Sequence, residues 1–254
     1  MIMNRINKIF VDTFEPTMNH KGFLRKNKIF HRIVNRKIVQ LLSYYEFDGA
    51  EFTVQFSIFP LCAGFEYSIF MDGLRICEEF DEVDSWEYEY GTDNFIQYMP
   101  EALKATKEYL FPLFDSTIDY TTYMEYRNNR RFPGPSFAGS VYMINLSLGN
   151  YEQSIKSRES LFKYRIEMNQ KRWGTNHHVV PATQESDEQD IREYELIKKA
   201  IDNDDHKSIK QYIYEQEQKS LDSYVKALTT PKKYKNYLET GELPFEFVHI
   251  LSSK

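Results

Sequence analysis

The stretch Glu51-Phe52-Thr53-Val54-Gln55-Phe56-Ser57-Ile58-Phe59 alternates polar and apolar residues until its last position. Phe52, Val54, Phe56 and Ile58 occupy every second position, with polar residues between them. Successive side chains of a β-strand point to opposite faces, so this period of two predicts a half-buried strand. The strand would turn its phenylalanines to a core and its polar residues to solvent.

Similar stretches lie on both sides of this strand. Residues 27–34 and 38–47 precede it, and residues 65–71 follow it. The turn signals Asp48-Gly49 and Asp72-Gly73 end two of these runs. Connections this short can join only antiparallel neighbours, so we expect a β-meander.

Segments with helical spacing of apolar residues lie before and after the predicted strands. Residues 2–14 carry apolar side chains at helical intervals, and Pro16 predicts a kink or a restart before Gly22 ends the helix. A second helix is expected over 92–111, with Pro100 dividing a lead-in turn from the main helix.

Helical periods dominate after residue 116. We expect helices over 138–148, 151–170 and about 206–228, and a short last helix ending near Gly241. Residues 174–190 are predicted to be a loop, in which Ser186 and Gln189 form a capping box for the following helix. Phe245–Leu251 is predicted to pack back as a strand.

These elements predict an α+β fold, in which an antiparallel β-meander with flanking helices precedes a mostly helical C-terminal half. The predicted division is an α+β sheet domain at residues 1–115 and a helical region at 116–254 packed on it. Whether the two form one continuous domain is left open.

Composition limits where in the cell the protein is expected to be. The N-terminus lacks the apolar run of a signal peptide, and the most apolar stretch, residues 56–65, is too short to span a bilayer. Cys62 and Cys77 are too few for a disulfide scaffold and are expected to be buried free thiols. We therefore expect a cytoplasmic protein that does not associate with a membrane.

Charge is divided along the chain. Residues 1–40 hold nine Lys or Arg and two acids, whereas residues 41–95 hold thirteen acids and one base, Arg75. Such a bipolar chain is not typical of a protein that coats nucleic acid, so we do not expect a nucleic-acid partner. For the basic stretch Lys21–Lys37 we favour a solvated strand face, either alone or paired with the acidic residues, over a track for phosphates.

The densest acidic stretch, residues 78–90, is the main candidate for a functional site, and three interpretations of it are open. It can be a solvated loop, a protein-binding face or a cation site, although it lacks the frame of an EF-hand loop. As a binding face, its acids would set the electrostatic sign and its aromatic residues would serve as anchors. The candidate partner-binding residues are Glu78, Glu79, Asp81, Glu82, Asp84, Trp86, Tyr88 and Tyr90.

Enzyme signatures are scarce. The chain has no Walker loop, no Gly-x-Gly-x-x-Gly motif and no Cys-x-x-Cys pair, so neither a cofactor nor a metal site is expected. Gly134-Pro135-Ser136 is only faintly similar to a nucleophile elbow, and His31 is expected to be a packed or surface residue. His177-His178 is not expected to bind a metal, because adjacent side chains of an extended segment point apart.

The phrase Asn145–Glu152 resembles the turn of a tetratricopeptide repeat. A second copy is not found at the repeat period, so an isolated helical hairpin is the favoured interpretation.

The segments Lys21-Gly22-Phe23, Arg25-Lys26, Val39-Gln40 and Phe52-Thr53-Val54, together with Phe30, resemble a bacterial family of domains of unknown function. The resemblance covers about residues 1–115 and implies a sheet with flanking helices, but no established catalysis. Similar small α+β domains occur among the immunity proteins of bacterial toxin systems, an analogy of fold and setting.

Three functional hypotheses follow. The first is a protein-binding module, of the immunity or antagonist type, that occludes a basic surface on another protein. The second is a hydrolase or nuclease whose site is assembled from scattered acidic and His residues. The third is a helical adaptor that uses its tetratricopeptide-like hairpin. The sequence favours a non-catalytic protein without deciding the question.

Overall fold

The computed structural model describes residues 2–47, 51–63, 74–87, 95–129, 138–173 and 181–251. It has the predicted α+β class, with an antiparallel sheet followed by a mostly helical C-terminal half. The chain forms two compact units. The first comprises Met1–Leu61, Phe65–Pro133 and Ser220–Lys254, and the second comprises Cys62–Gly64 and Gly134–Lys219. The predicted division into a sheet domain at residues 1–115 and a helical region at 116–254 stays a prediction.

Helices and strands of the described residues are numbered in chain order. The strands are β1 (Leu24–Lys26), β2 (Ile29–Val34), β3 (Ile38–Phe47), β4 (Glu51–Pro60), β5 (Leu74–Arg75) and β6 (Trp86–Glu87). The helices are α1 (Ile2–His20), α2 (Ile76–Glu79), α3 (Phe95–Ala105), α4 (Phe111–Ser116), α5 (Tyr120–Asn129), α6 (Ala138–Ser147), α7 (Tyr151–Trp173), α8 (Pro181–Asp202), α9 (His206–Leu228) and α10 (Pro231–Thr240). None of the helices in the described ranges combines the length and the apolar character needed to cross a membrane.

The sheet of the first unit has the strand order β1-β2-β3-β4-β5, and β6 pairs with β4 as well. The five pairings between these strands are antiparallel, which confirms the meander. The hairpin between β2 and β3 turns at Asn35 and Arg36, whose φ angles of 50° and 56° are those of a type I′ turn. The strand predicted at 65–71 lies outside the described residues.

One expectation about the sheet is wrong, because β4 is buried on both faces. Thr53, Gln55 and Ser57, which we expected at the solvent face, have exposed fractions of 0%, 6% and 5%. Every residue of β2 is buried as well, so the basic stretch does not form a solvated strand face there.

Helices cover one face of the sheet and a distant part of the chain covers the other. On the first face, the ring of Phe10 from α1 lies 5.0 Å from that of Tyr44, and Phe114 of α4 lies 6.1 Å from Phe56. On the second face, residues 220–228 of α9 enter a common core with β2, β3 and β4. Its buried members are Ile29, Ile33, Val39, Leu41, Phe59, Leu61, Leu221, Tyr224, Val225 and Leu228.

Prolines inside two helices do not break them. The helix α1 continues through Pro16, where a kink or restart was expected, and α3 continues through Pro100. Pro16 is exposed, so water can reach the carbonyl that its missing N–H leaves unbonded. As predicted, Gly22 ends α1 with a φ of 76°, and the N–H of Phe23 bonds the carbonyl of Met18 at 2.9 Å.

A buried cation joins the first face of the sheet to α4. The side chain of Arg32 is 2% exposed and donates to Gln40 Oε1 at 2.7 Å, to the carbonyl of Lys21 at 2.6 Å and to Asp115 Oδ1 at 3.0 Å. Lys21 Nζ bonds the other oxygen of Asp115 at 2.7 Å. Burial acts to raise the pKa of Asp115, but hydrogen bonds from Lys21 and Arg32 outweigh it and hold the pKa below its usual value.

A second buried polar pair lies on the opposite face. His31 Nδ1 is 2.6 Å from the hydroxyl of Tyr224, and the two residues are 2% and 0% exposed. Burial, together with the nearby charges of Lys26 and Lys233, lowers the pKa of His31 to about 3. His31 is therefore a neutral packed residue at physiological pH, as the sequence led us to expect.

The second unit contains a helical hairpin made by α6 and α7. Gly149, with a φ of 78°, turns the chain, and the N–H of Asn150 bonds the carbonyl of Asn145 at 2.8 Å. Helix α8 then packs against α7, since the hydroxyl of Tyr194 donates to Glu159 at 2.8 Å and its ring lies 5.5 Å from that of Phe162. The hairpin matches the prediction.

The loop predicted at 174–190 is corrected in its second half, because α8 begins at Pro181. Proline suits the first turn of a helix, where its N–H has no intrahelical partner, and the Gln and Glu residues that follow favour helix. The capping box at Ser186 and Gln189 is therefore wrong.

Candidate functional site

The strands β5 and β6, which lie on either side of residues 76–85, both pair with β4. In β5, Arg75 pairs with Gln55, and in β6, Trp86 pairs with Phe52. The chain between them forms the short helix α2 and then a turn at residues 81–82. Residues 76–85 therefore form a loop whose two ends are fixed on one strand.

Apolar side chains of this loop point inward. Ile76 and Val83 are 0% and 5% exposed. The ring of Phe80 lies 5.5 Å from that of Tyr109, so the loop also packs against the segment between α3 and α4. These contacts give the backbone of the loop a defined conformation.

The acidic side chains of the candidate site differ in their surroundings. Glu78 accepts from Arg75 Nη1 at 2.9 Å, and its other carboxylate oxygen accepts from the backbone N–H of Arg75 at 3.3 Å. Glu79 is half-buried, whereas Asp81, Glu82 and Asp84 are exposed. We name the stretch Asp81–Asp84, with its three exposed carboxylates, the acidic turn.

The aromatic residues are only partly described. Trp86 is half-buried, and its ring stacks on that of Phe52 with centroids 5.4 Å apart. Part of the indole is therefore used to hold β6 on the sheet. Tyr88 and Tyr90 lie outside the described residues, and so do His177 and His178.

Arg75 and Cys77 shortly precede the acidic turn in the chain and were not among the predicted site residues. The guanidinium of Arg75 lies over the ring of Tyr45 at 4.8 Å, and Thr53 Oγ1 is 3.5 Å from Cys77 Sγ. Both cysteines are free thiols, as expected, but Cys77 is half-buried rather than buried. A signal for Arg75 was present, because it is the one base among residues 41–95.

In the contacts described, the basic side chains of Lys21–Lys37 bind groups outside the acidic turn. Arg25 Nε donates to Glu15 at 2.6 Å, and Lys26 Nζ donates to the carbonyl of Ala227 at 3.0 Å, near the end of α9. Lys28 and Lys37 lie over the rings of Tyr44 and Tyr120. Much of this positive charge therefore serves the packing of the first unit.

Across the residues that the structure describes, no group of three or more His, Cys, Asp or Glu side chains is placed to hold a metal ion. An open pocket of about 440 Å³ lies at the start of α9 in the second unit, lined by His206, Lys207, Lys210 and Gln211. Its lining is basic and exposed, and no candidate residue of the sequence lies there.

No family model, curated protein or solved structure matches this chain. The resemblance to a bacterial family of domains of unknown function stays a prediction. The functional argument therefore depends on the chain's own geometry.

Proposed function

We propose that this protein binds another protein through the acidic turn, and that the partner presents a basic surface. One observation carries the proposal: the loop buries Ile76 and Val83 and exposes Asp81, Glu82 and Asp84. A loop that presents its charges in a fixed arrangement loses less conformational entropy on binding, so this anchoring suits a binding surface.

The acidic turn would act mainly on the rate of association. Exposed charges at an interface attract an oppositely charged partner, raise the on-rate, and lose much of their effect in salt. The binding energy would come from apolar contacts beside the turn, for which the uncovered part of Trp86 is a candidate. By covering a basic surface, the protein would act as an antagonist of the immunity type, and we keep the cytoplasm as its proposed location.

Reversing the acidic turn tests the proposal. We expect the triple variant Asp81→Lys, Glu82→Lys, Asp84→Lys to reduce the association rate with the partner by about 10- to 100-fold at low salt. The partner is first captured from a lysate of the source cells with the tagged wild-type chain. Association is then measured by surface plasmon resonance on the purified pair at low and high salt.

A matched control keeps the same change in net charge. Glu101→Lys, Glu125→Lys and Glu195→Lys alter exposed positions outside the loop, and this variant should retain the association rate within about threefold. Equal losses in both triple variants would show an effect of net charge alone. An unchanged rate in the acidic-turn variant would contradict the proposal.

The helical adaptor is a second candidate because α8 packs on α7 of the hairpin, and Tyr212 of α9 donates to Glu193 of α8 at 3.3 Å. Contacts between α7 and α8 include Arg158 Nη2 to Asp190 at 3.4 Å and Lys198 Nζ to Glu159 at 3.3 Å. Exposed Leu196 and Tyr214 would then be candidate contacts. Replacing these two with Lys should abolish binding by an adaptor while leaving binding through the acidic turn intact.

The hydrolase or nuclease hypothesis stays a prediction.

A further inference from the structure

The C-terminal segment Leu243–Leu251, itself part of the first unit, lies against the sheet of that unit in the manner of a bound peptide. It follows Gly241, which ends α10 with a φ of 72°. The segment contains one residue paired to the sheet, Val248, which forms a parallel bridge with Val34. The N–H of Val248 bonds the carbonyl of Ile33 at 2.9 Å, and its carbonyl accepts from the N–H of Asn35 at 2.9 Å. We name Leu243–Leu251 the tail.

The edge of β2 is available to the tail because β1 is short. Pairing between β1 and β2 extends only from Ile29 to His31. Beyond that point β1 no longer covers the edge, and the tail supplies the missing backbone partners at Ile33 and Asn35. Addition of an extended segment to an open sheet edge is a recurring mode of peptide recognition.

Asn35 recognises the backbone of the tail at a second point. Its Nδ2 donates to the carbonyl of Ile250 at 2.9 Å, and its Oδ1 accepts from the N–H of Ile250 at 3.1 Å. The side-chain amide thus pairs with a tail residue as the backbone of a neighbouring strand would. Such contacts depend on an extended main chain and not on the side chain at that position.

Side chains of the tail divide into inward and outward groups. Phe245 packs at 5.4 Å from Tyr224, and Phe247 lies under the guanidinium of Arg36 at 5.0 Å. Glu246 and His249 are exposed. The inward residues contact the surface beneath the tail, whereas the outward ones face solvent. A specific peptide ligand has the same division of side chains.

Gly22 leaves room for Val248. A Cβ built at Gly22 would be 2.8 Å from Val248 Cγ2, closer than side-chain atoms approach one another. The same glycine has a φ of 76°, so its absence of a side chain serves both the turn after α1 and the seat of the tail.

We propose that the β2 edge, together with Gly22, Asn35, Arg36 and Tyr224, is a docking groove for an extended apolar segment, and that the tail of a second copy of this chain is its occupant in trans. The tail fits because its sequence is the one the groove already holds in cis. A tethered segment has an effective concentration of roughly millimolar, so exchange between copies becomes visible when the cis contact is weakened.

Two complementary variants of the full-length chain test this exchange. Val248→Asp places a charge in the seat beside Gly22 and weakens the tail, whereas the groove stays intact. Asn35→Gly removes the two bonds to Ile250 and keeps the positive φ of the turn without strain, so the groove is weakened and the tail stays intact. We expect each variant alone to be monomeric at about 100 μM.

Mixing the two variants should give a one-to-one heterodimer by sedimentation velocity, because the intact tail of one chain enters the intact groove of the other. A labelled peptide of residues 243–251 should bind Val248→Asp at least tenfold more tightly than it binds wild type, whose groove is filled. The double variant should bind it at least tenfold more weakly than Val248→Asp. A scrambled peptide serves as the control.

The proposal is overturned if folded Val248→Asp binds the peptide no better than wild type, or binds the scrambled peptide equally well. Peptide binding without a heterodimer would overturn the second copy as occupant. Circular dichroism establishes that the variants are folded, and Phe247→Ala replaces Val248→Asp if the latter unfolds. The acidic turn is unchanged throughout, so these outcomes are separate from those for the proposed function.

Discussion

Replacing Asp115 with alanine is expected to lower the free energy of unfolding by about 3 kcal/mol, measured by urea denaturation at pH 7. The reason lies with Arg32, whose side chain is 2% exposed and would keep its charge without its carboxylate. Removing one partner of a buried ion pair leaves an uncompensated charge in a medium of low polarity. We expect the lower end of the usual range, because Asp115 itself is 36% exposed.

Lys21 provides the matched control, since it bonds the same carboxylate from the surface. Its side chain is 35% exposed, and Lys21→Met should change the free energy of unfolding by less than about 1 kcal/mol. The backbone carbonyl of Lys21, which accepts from Arg32, is retained in this variant. Equal losses in Asp115→Ala and Lys21→Met would contradict the view that burial of Arg32 decides the effect.

Two further measurements isolate the pair. In an Arg32→Met background, Asp115→Ala should lower the free energy of unfolding by less than about 1 kcal/mol, because the buried charge is gone.

The pH dependence of stability provides the second test of the pair. The folded-state pKa of Asp115 is below its unfolded value, so its stabilisation is present above about pH 4 and is lost as the pH falls through the folded pKa. The difference between wild type and Asp115→Ala should therefore narrow below about pH 4.

The central strands could be predicted from the sequence because their pattern is local. Residues 38–47 and 51–59 were expected, and β3 and β4 have almost these bounds. The second buried face of β4 could not be predicted. The residues that cover this face, such as Tyr224 and Leu228, lie far along the chain. A polar residue such as Ser57 gives the same alternating sequence pattern whether its face of the strand is solvated or covered.

The candidate site was predictable in composition and not in arrangement. The sequence showed that acids are concentrated at residues 78–90. It could not show that Arg75 bonds Glu78, that Glu79 is half-buried or that Trp86 stacks on Phe52. Those facts depend on where β5 and β6 join β4. The tail was expected as a strand over Phe245–Leu251, and the structure has a single bridge there, reinforced by the side chain of Asn35.

The free energy of unfolding should fall by about 2–3 kcal/mol between pH 7.5 and pH 4.5 because of His31 alone. Burial against Tyr224 lowers the folded-state pKa of His31 to about 3, whereas the unfolded chain has a value near 6.5. Between these values only the unfolded state binds the proton. The contribution is therefore present above about pH 6.5 and is lost progressively as the pH falls toward 3. This window lies above that of Asp115, so the two effects can be separated.

Urea denaturation across pH 4.5–7.5 would measure this effect as the difference between wild type and His31→Leu. The variant is less stable at pH 7.5, because the hydrogen bond between the hydroxyl of Tyr224 and His31 is lost, but its free energy of unfolding should depend less on pH by about 2–3 kcal/mol over the interval. His249→Gln, at an exposed histidine, is the control and should keep the wild-type dependence. If His31→Leu and wild type had the same slope, His31 would have to take up its proton in the folded protein. A buried imidazolium beside Lys26 and Lys233 would then need a carboxylate or another acceptor at His31, in place of the neutral ring and its bond to Tyr224.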